Sequence, residues 1–481
     1  MLEYRDIYAS GRLLPAAAPD AITVANPATE EIVGAAPAAI ASDIDTAVHA
    51  AREAFDSGPW HRAGPAERAA ALDRLATAVA DRAPEAASLV TEEMGMPISM
   101  SRVQNADVPV TILRYYAARA RSLPPQEIRA AINFPGHTVV WQEPLGVAAV
   151  IAPWNYPLTI AFSQLAPALA AGCTVVFKPA PQTSLSAYIL AEAVEAADFP
   201  PGVFNLVTGT HEAAELLARH PGVDKVAFSG PASVGRRIAI ACGETLKPVN
   251  LEVGGQAAAI VLADADLPAS AAALAGLAFG NSGQACFAAS RVLAPASRFG
   301  ETAEALTAQA ASVVLGDPMA ADTTMGPLVS PHRRAGVEAY VAASTAAGAQ
   351  IVADGRRPAA QVRGYYYEPT VLAGGPATVT GREVFGPVVT VVPYASEAEA
   401  IRIANGWGCC LAGSVWTSDP DHGLDIARGI RAGTFGVNLY VPELGAPWGS
   451  RGGSWGSTYG PEGLASYLSS RSVLVPGAAV N

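Results

Sequence analysis

Three residues with side chains suited to nucleophilic, acid–base or oxyanion-binding chemistry stand out in this sequence: Cys286, Glu252 and Asn155. Cys286 lies in the segment FGNSGQACFAASR, residues 279–291, among small residues that leave a thiol approachable. A helix is predicted at 270–279, and the pKa of a thiol falls near a helix N-terminus, which makes the sulfur more nucleophilic. We therefore expect an activated cysteine in this turn. The segment alone also fits a buried cysteine that packs as a small hydrophobe.

Glu252 ends a predicted strand in the motif LEVGG, residues 251–255, 34 residues before the cysteine. Its apolar neighbours predict partial burial, which raises the pKa of a carboxyl group and suits it to general-base catalysis. A solvated strand-end glutamate is the alternative for this motif taken by itself.

Two more polar side chains follow the ends of predicted strands. Asn155 comes after the strand at 146–151, in a turn with a proline on either side. Its amide is a candidate either for a helix cap or for an oxyanion donor. Lys178 directly follows the strand at 174–177, where it could bind ribose or phosphate oxygens.

Two later motifs also connect strands to other elements. Gly230 and Gly235 lead from a strand into a helix, a geometry that suits phosphate, although the pattern is not G-x-G-x-x-G. Glu383 and Phe385 precede another predicted strand, and core packing alone would explain the phenylalanine.

Alternating strands and helices must position these residues. Continuous apolar strands alternate with helices from about residue 145 to 254, which predicts a parallel sheet covered on both faces. A second alternating region runs from 257 to about 436. Ligands of such sheets bind beyond the carboxyl ends of the strands. Residues 123–143 are strand-like, which is typical of an arm that packs on another subunit or of a surface hairpin.

Composition narrows the class of protein. A chain of 481 residues predicts two or three domains, and a net charge of −12 disfavours nucleic acid and anionic membranes as partners. The five cysteines form no C-x-x-C pair, so we expect no disulfide framework, no metal site and a cytoplasmic location. The N-terminus does not resemble a signal peptide. The uncharged stretch 144–177 contains four prolines, which predicts buried soluble core instead of a membrane span.

The order of these motifs carries more information than any one of them. The motifs that together resemble the aldehyde dehydrogenase superfamily, in its hydrolytic NAD(P)-dependent branch, are 153–158, Lys178, 228–235, 251–255, 283–286 and 383–387. The resemblance implies an α/β fold: a Rossmann-like dinucleotide-binding domain (1–121 and 144–254), an α/β catalytic domain (255–452) and a β-arm oligomerisation element (122–143 and 465–481). A homodimer or homotetramer is expected.

The resemblance also implies a role for each candidate residue. Cys286 would attack an aldehyde carbonyl, and the Asn155 amide and the Cys286 backbone N–H would hold the oxyanion. After hydride transfer to the nicotinamide, Glu252 would activate water to hydrolyse the thioester. The expected cofactor contacts are Ile151, Trp154, Lys178, Gly230, Gly235, Val253, Glu383 and Phe385.

The expected substrate pocket contains Tyr156, Phe287 and Trp448, which hints at an apolar or aromatic aldehyde. NAD is the expected cofactor, with NADP possible, because Pro181 replaces a glutamate that commonly binds the adenosine ribose. The segment 457–459, Ser-Thr-Tyr, also lacks an Arg-Glu pair that is often found in this region.

Three alternatives stay open. A CoA-acylating relative would dispense with the base at Glu252, and a catalytically silent member would not need the intact set of site residues. A cysteine hydrolase without a redox step would need a histidine partner, and the motifs above contain none.

Overall fold

The computed structural model describes residues 1–124, 126–375, 383–406, 411–450 and 456–477. Within them the strands are β1 (Leu2–Glu3), β2 (Asp6–Ala9), β3 (Arg12–Pro15), β4 (Ala21–Ala25), β5 (Ile32–Pro37), β6 (Glu127–Ala130), β7 (Gly136–Pro144), β8 (Val147–Ile151), β9 (Thr174–Lys178), β10 (Phe204–Leu206), β11 (Lys225–Gly230), β12 (Val249–Val253), β13 (Ala258–Val261), β14 (Arg291–Pro295), β15 (Gln350–Ala353), β16 (Thr370–Ala373), β17 (Val388–Tyr394), β18 (Gly413–Trp416), β19 (Gly436–Val437) and β20 (Leu468–Pro476).

The α-helices pack around these strands. They are α1 (Ala41–Asp56), α2 (Pro65–Asp81), α3 (Ala83–Met94), α4 (Ile98–Arg102), α5 (Val108–Arg121), α6 (Pro157–Ala171), α7 (Ser186–Ala196), α8 (His211–Arg219), α9 (Ala232–Gly243), α10 (Leu267–Phe279), α11 (Phe299–Ala311), α12 (Pro331–Ala346), α13 (Glu397–Ala404), α14 (Pro420–Arg428) and α15 (Gly460–Ala465). A π-helical turn at Val103–Asp107 precedes α5.

Two seven-stranded sheets form the body of the molecule. The first has the order β12-β11-β8-β9-β10-β2-β3, in which the strands from β12 to β10 are parallel and the β2–β3 hairpin is antiparallel. The second has the order β15-β16-β17-β14-β13-β18-β19 and is parallel except for the pairing of β15 with β16. The prediction of parallel sheets in two alternating regions is therefore confirmed. The domain boundaries themselves remain predictions.

The uncharged stretch 144–177 forms β8, α6 and the start of β9. Both strands are buried at every position, and α6 is buried along almost all of its length, so the apolar sequence is explained by sheet and helix packing. Pro157 begins α6, where its missing N–H costs no hydrogen bond. In the part of the chain that the structure describes, no helix combines the length and apolarity needed to cross a membrane.

The predicted arm segments contain the strands of a separate antiparallel sheet, in the order β20-β7-β6. The pairing of β20 with β7 is continuous from Leu468 opposite Pro144 to Pro476 opposite Gly136. Tyr467, the residue before β20, accepts a hydrogen bond from the Leu145 N–H at 3.0 Å. This sheet is thereby connected directly to the start of β8 in the first large sheet.

Candidate active site

Strand register brings several predicted site residues to one edge of the first sheet. Ile151 on β8 lies opposite Lys178 on β9 and Phe228 on β11. Ser229 on β11 lies opposite Glu252 on β12. Because the carboxyl ends of parallel strands meet at one edge, this is where a ligand of such a sheet binds.

The cysteine segment leaves α10 through a strained turn. Asn281 and Ser282 have φ values of 50° and 56°, and Gly283 follows at 67°. A Cβ on Gly283 would lie 2.1 Å from the Gly386 carbonyl oxygen, so only glycine fits this close approach. Side chains other than glycine rarely adopt these φ values, and such strain persists only where surrounding contacts hold it.

Reciprocal hydrogen bonds hold this turn against the loop after β8. Asn281 Nδ2 donates to the Asn155 carbonyl oxygen at 2.9 Å, and Asn155 Nδ2 donates to the Gln284 carbonyl oxygen at 2.9 Å. The Gln284 side chain donates to the Asn281 carbonyl at 3.1 Å and accepts from the Val329 N–H at 2.9 Å. Nδ2 of Asn155 carries two hydrogens, and the bond to Gln284 uses one. The Asn155 amide is therefore fixed next to the cysteine segment.

Cys286 differs from the expectation of a lowered pKa. Its pKa is raised, mainly because protein surrounds the thiol and further because the carboxyl groups of Glu383 and Glu252 lie near it. The cysteine follows the C-terminal end of α10 and precedes β14, so its own segment does not place it at a helix N-terminus. The backbone N–H groups of Cys286 and Phe287 oppose the shift without reversing it. The resting sulfur is a thiol.

Glu252 behaves as predicted from its neighbours. Burial raises its pKa to about 8, and a hydrogen bond from Thr458 partly offsets this rise. Thr458 Oγ1 donates to Glu252 Oε1 at 2.7 Å. A carboxyl group with a pKa near neutrality can exchange a proton with substrate or water under ordinary conditions.

A second buried carboxyl group, Glu383, lies beside the glycines that follow β12. A Cβ on Gly254 would meet Glu383 Oε2 at 2.7 Å, so glycine makes room for this carboxylate. Burial raises the pKa of Glu383 to about 8, and the positive charge of Arg333 acts in the opposite direction. Phe385, at φ 47°, packs edge-on against Trp154 with ring centroids 5.6 Å apart.

Arg333, in the first turn of α12, was not among the residues predicted from the sequence. Its guanidinium carbon lies 5.9 Å from the Trp154 ring centroid and 5.2 Å from that of Phe385. It is therefore in the expected cofactor cleft, next to Glu383. The sequence around it, SPHRRAGVEAY, shows an ordinary helix start and contains no signal for this placement.

The remaining predicted cofactor residues line the same sheet edge. Lys178 is buried, which lowers its pKa to about 7, and Nζ donates to the Pro179 carbonyl oxygen at 2.9 Å. A Cβ on Gly230 would lie 2.6 Å from the Phe228 ring, and one on Gly235 would lie 3.0 Å from the Val253 side chain, so both glycines are closely packed. Ser229 Oγ is buried without a hydrogen-bond partner among the described residues. A buried cation, an unpaired hydroxyl and side-chain-free glycines fit a ribose-phosphate ligand.

The predicted substrate residues belong to an aromatic cluster, which consists of Tyr156, Phe287, Tyr440, Trp448 and Tyr459. Phe287 lies at its centre, with ring centroids 6.0 Å from Tyr156, 5.8 Å from Tyr440 and 6.3 Å from Trp448. Tyr459 extends it from Trp448 at 6.1 Å. The sequence analysis missed Tyr440 and Tyr459, because nothing in the local pattern separates them from core tyrosines. The cluster begins at the residue beside Cys286.

Two other features of the structure lie outside this arrangement. A surface cleft of about 550 Å³ along α1, lined by Asp45, His49 and His220 among others, contains none of the predicted site residues. Among the described residues no group of three or more His, Cys, Asp or Glu is arranged to hold a metal ion. Cys409 and Cys410 lie outside the described residues.

Comparison with known proteins identifies the family to which this arrangement belongs. The model of the aldehyde dehydrogenase family matches residues 14–473. Geranial dehydrogenase from Castellaniella defragrans is 40% identical over 479 residues, covering 99% of this chain and 100% of that protein. The chain belongs to the aldehyde dehydrogenase family. The predicted family and enzyme class are thereby confirmed.

Solved structures agree over the whole length of the chain. A Mycobacterium tuberculosis aldehyde dehydrogenase complexed with NAD+ has a TM-score of 0.96 and 38% identity, with 100% of this chain and 99% of that chain covered. Aldehyde dehydrogenase C from Pseudomonas syringae, complexed with NAD+ and octanal, has a TM-score of 0.95 and 32% identity, with coverage of 99% and 98%. The predicted fold class is confirmed.

The raised pKa of Cys286 predicts a pH-dependent alkylation rate. Because iodoacetamide reacts with the thiolate, modification of the free enzyme should be slow at about pH 7 and accelerate about tenfold for each unit up to about pH 9. Because burial raises the pKa of Glu383 to about 8, Glu383→Gln removes a nearby negative charge mainly above that pH, so it should make alkylation faster at about pH 9 and change it little at about pH 7. Intact mass and peptide mapping report the rate, with Cys286→Ser as the unlabelled control. A rate independent of pH would contradict the assignment.

Gly283→Ala should damage the cysteine turn. The new Cβ meets the Gly386 carbonyl and the residue has φ 67°, so we expect a loss of about 1–3 kcal/mol in the free energy of unfolding together with a loss of activity. Gly276→Ala in α10 is the matched control, because a Cβ there meets nothing within 4 Å. That variant should be neutral or up to about 1 kcal/mol more stable by denaturant titration. Equal effects of the two substitutions would be inconsistent with a strained turn at Gly283.

Proposed function

We propose that this chain oxidises an aldehyde to the carboxylic acid with NAD+, using Cys286 as nucleophile, Asn155 as oxyanion donor and Glu252 as general base. The observation that carries the proposal is the meeting of a thiol, a fixed amide and a buried carboxyl group at the carboxyl edge of the sheet. Cys286, Asn155 and Glu252 come from three separate segments of the chain. The strand register and the Asn155–Gln284 hydrogen bond bring these segments together.

The first half of the reaction forms a bond to sulfur. The Cys286 thiol releases its proton to water, Sγ attacks the aldehyde carbon, and the carbonyl electron pair moves onto oxygen. The second N–H of Asn155 Nδ2 and the backbone N–H of Cys286 stabilise that oxyanion. The electron pair then returns to re-form the carbonyl as hydride leaves the same carbon, which gives a thioester. Bound NAD+ supplies the nicotinamide ring that accepts this hydride.

The second half releases the acid. A thioester keeps its carbonyl electrophilic, so water can attack it if a base removes a proton. Glu252 has one oxygen engaged by Thr458 and a pKa of about 8, and it takes that proton. Collapse of the tetrahedral adduct expels the Cys286 sulfur, which regains a proton as the acid leaves. The presence of Glu252 favours this route over acyl transfer to CoA, and the complete set of residues favours catalysis over a silent binding role.

The residues around Glu383 and Lys178 support the cofactor part of the proposal. In this proposal Lys178 contacts the adenosine ribose and Glu383 the nicotinamide ribose, while Trp154 and Phe385, which pack edge-on, provide apolar walls for the ring. Ile151, Val253, Gly230 and Gly235 are the remaining proposed contacts, and the two glycines pack closely against Phe228 and Val253. NAD+ is preferred in this proposal because two similar structures are NAD+ complexes, and NADP+ is the alternative that Pro181 permits.

The aromatic cluster supports an apolar substrate. Its five rings, four of them buried, make the surroundings of Cys286 apolar, and aromatic faces also accommodate unsaturated chains. A geranial dehydrogenase and an octanal complex are among the similar proteins, and both names denote aldehydes with apolar chains. We propose that medium-chain or unsaturated apolar aldehydes are the substrate class. The proposal also includes a homodimer or homotetramer built through β6, β7 and β20, in the cytoplasm.

Two variants test the catalytic assignments. Glu252→Gln should accumulate acyl-enzyme on Cys286, visible by intact mass, and lower the steady-state rate by about 10²–10⁴-fold, because water loses its base. Cys286→Ser should abolish oxidation while NAD+ still binds, as measured by calorimetry. Each variant is assayed by NAD(P)H absorbance with both cofactors. Unimpaired turnover in either variant would refute its assignment, and acid formed without NAD(P)H would favour the hydrolase alternative.

A series of linear aldehydes tests the substrate class. Burial of each added CH₂ contributes about 0.8 kcal/mol, so kcat/KM should rise roughly fourfold per carbon from acetaldehyde until the aromatic cluster is filled. Phe287→Ala should flatten this dependence while leaving acetaldehyde turnover close to that of the wild type. A higher kcat/KM for a quaternary-ammonium aldehyde than for octanal would instead indicate that the rings bind a cation.

A further inference from the structure

The two oxygens of Glu252 have different surroundings. Oε1 accepts the hydrogen bond from Thr458 at 2.7 Å, whereas Oε2 is buried without a hydrogen-bond partner among the residues that the structure describes. Leaving a buried carboxylate oxygen unpaired costs free energy. An unpaired oxygen at this position therefore indicates that a ligand or a functional role uses it. Because Oε2 lies on the carboxyl group that the proposed mechanism uses as base, it is available for the proton of the attacking water.

Thr458 is itself oriented by a second hydrogen bond. Gln164 Nε2, on α6, donates to Thr458 Oγ1 at 2.9 Å. An amide nitrogen only donates, so the lone pairs of the hydroxyl receive this bond and its single hydrogen is left for Glu252. Thr458 cannot reverse direction without leaving the Gln164 N–H unpaired.

Tyr467 fixes the orientation of Gln164. Its hydroxyl donates to Gln164 Oε1 at 2.9 Å, and both side chains are buried. Lys225 Nζ lies 4.4 Å from the Tyr467 ring centroid and donates to Asn250 Oδ1 at 3.1 Å and to the Ser466 carbonyl oxygen. The result is a directed chain of three hydrogen bonds, from Tyr467 through Gln164 and Thr458 to Glu252.

The backbone around Thr458 is held independently of its hydroxyl. Its N–H and carbonyl form a bridge with Trp448, with both hydrogen bonds at 2.7 Å. Removing the Thr458 hydroxyl therefore leaves these backbone hydrogen bonds in place. A substitution at Thr458 can test the side-chain hydrogen bond to Glu252 by itself. The segment 457–459, where the sequence lacks an Arg-Glu pair, thus contacts Glu252 through an uncharged hydroxyl.

We propose that Thr458, Gln164 and Tyr467 are positioning residues for the base. Their hydrogen-bond chain occupies Oε1 of Glu252 and directs proton uptake from the hydrolytic water to Oε2. This inference rests on the proposed function of Glu252. It assigns to three residues that act through Glu252 the task of orienting its carboxyl group and favouring the ionised form.

The chain also sets the pH at which the base is available. Burial raises the pKa of Glu252, and the Thr458 hydroxyl lowers it because the hydroxyl donates to the ionised form. The titratable groups that face Glu252 are Cys286, Tyr459 and Tyr467, with Glu383 beyond Cys286 and Lys225 beyond Tyr467. A variant that removes only the hydroxyl leaves all of them in place. Loss of the hydrogen bond then raises the pKa, and deacylation requires a higher pH.

The test is the pH dependence of deacylation, measured as the single-turnover decay of acyl-enzyme by rapid quench and intact mass. In Thr458→Val the acid limb should move up by about one pH unit, so the rate on that limb falls about tenfold. Thr458→Ser keeps a hydroxyl and should retain the wild-type limb. Gln164→Leu, which frees the Thr458 hydroxyl to turn, should shift the limb in the same direction by less.

Thr174→Val is the matched control, because the Thr174 hydroxyl is equally buried and donates to the Ala51 carbonyl far from Glu252. It should leave the limb unchanged. An unshifted limb in Thr458→Val, whether or not its stability falls, overturns the inference, and Gln164→Leu decides the matter in the same way if Thr458→Val does not fold. Normal deacylation by Glu252→Gln would instead overturn the proposed function. If deacylation stalls in Glu252→Gln while the acid limb of Thr458→Val is unshifted, only the positioning role is overturned.

Discussion

The exchange of hydrogen bonds between Asn155 and the turn at 281–284 connects the two halves of the proposed chemistry. Asn155 follows a strand of the first sheet, whereas the turn leads into β14 of the second. Asn281 and Ser282 have positive φ values, which residues other than glycine rarely adopt. The mutual bonds therefore hold the proposed oxyanion donor, Asn155, next to the segment that carries the proposed nucleophile, Cys286.

Burial then gives three acidic groups a shared behaviour. Cys286, Glu252 and Glu383 all have raised pKa values, chiefly because water is excluded around them. Because each negative charge would raise the others further, the free site favours their neutral forms. Positive charge is close by at Arg333, whose guanidinium carbon lies within 6 Å of the Trp154 and Phe385 ring centroids. The ionisation of one group is thus linked to the state of its neighbours.

The strands and the polar residues at their ends could be predicted, because both depend on the local sequence pattern. Continuous apolar strands identified the parallel sheets, and the polar residues at their ends identified Glu252 and Lys178. The pKa of Cys286 was predicted in the wrong direction, because a local motif does not report burial or carboxyl groups brought in from elsewhere in the chain. Arg333, Tyr440 and Thr458 were missed for the same reason: their importance comes from tertiary neighbours, and their own sequence surroundings are ordinary.

The last strand has a consequence for how the chain can be handled. Tyr467 ends the hydrogen-bond chain to Glu252, and β20 begins at the next residue and pairs with β7 along its full length. The C-terminal strand therefore holds Tyr467 in position and also forms an edge of the arm sheet. Proteolysis or truncation ahead of Leu468 would loosen a buried residue of the hydrogen-bond chain to Glu252. Affinity tags belong at the N-terminus, because Met1 is exposed and β1 pairs in a different sheet.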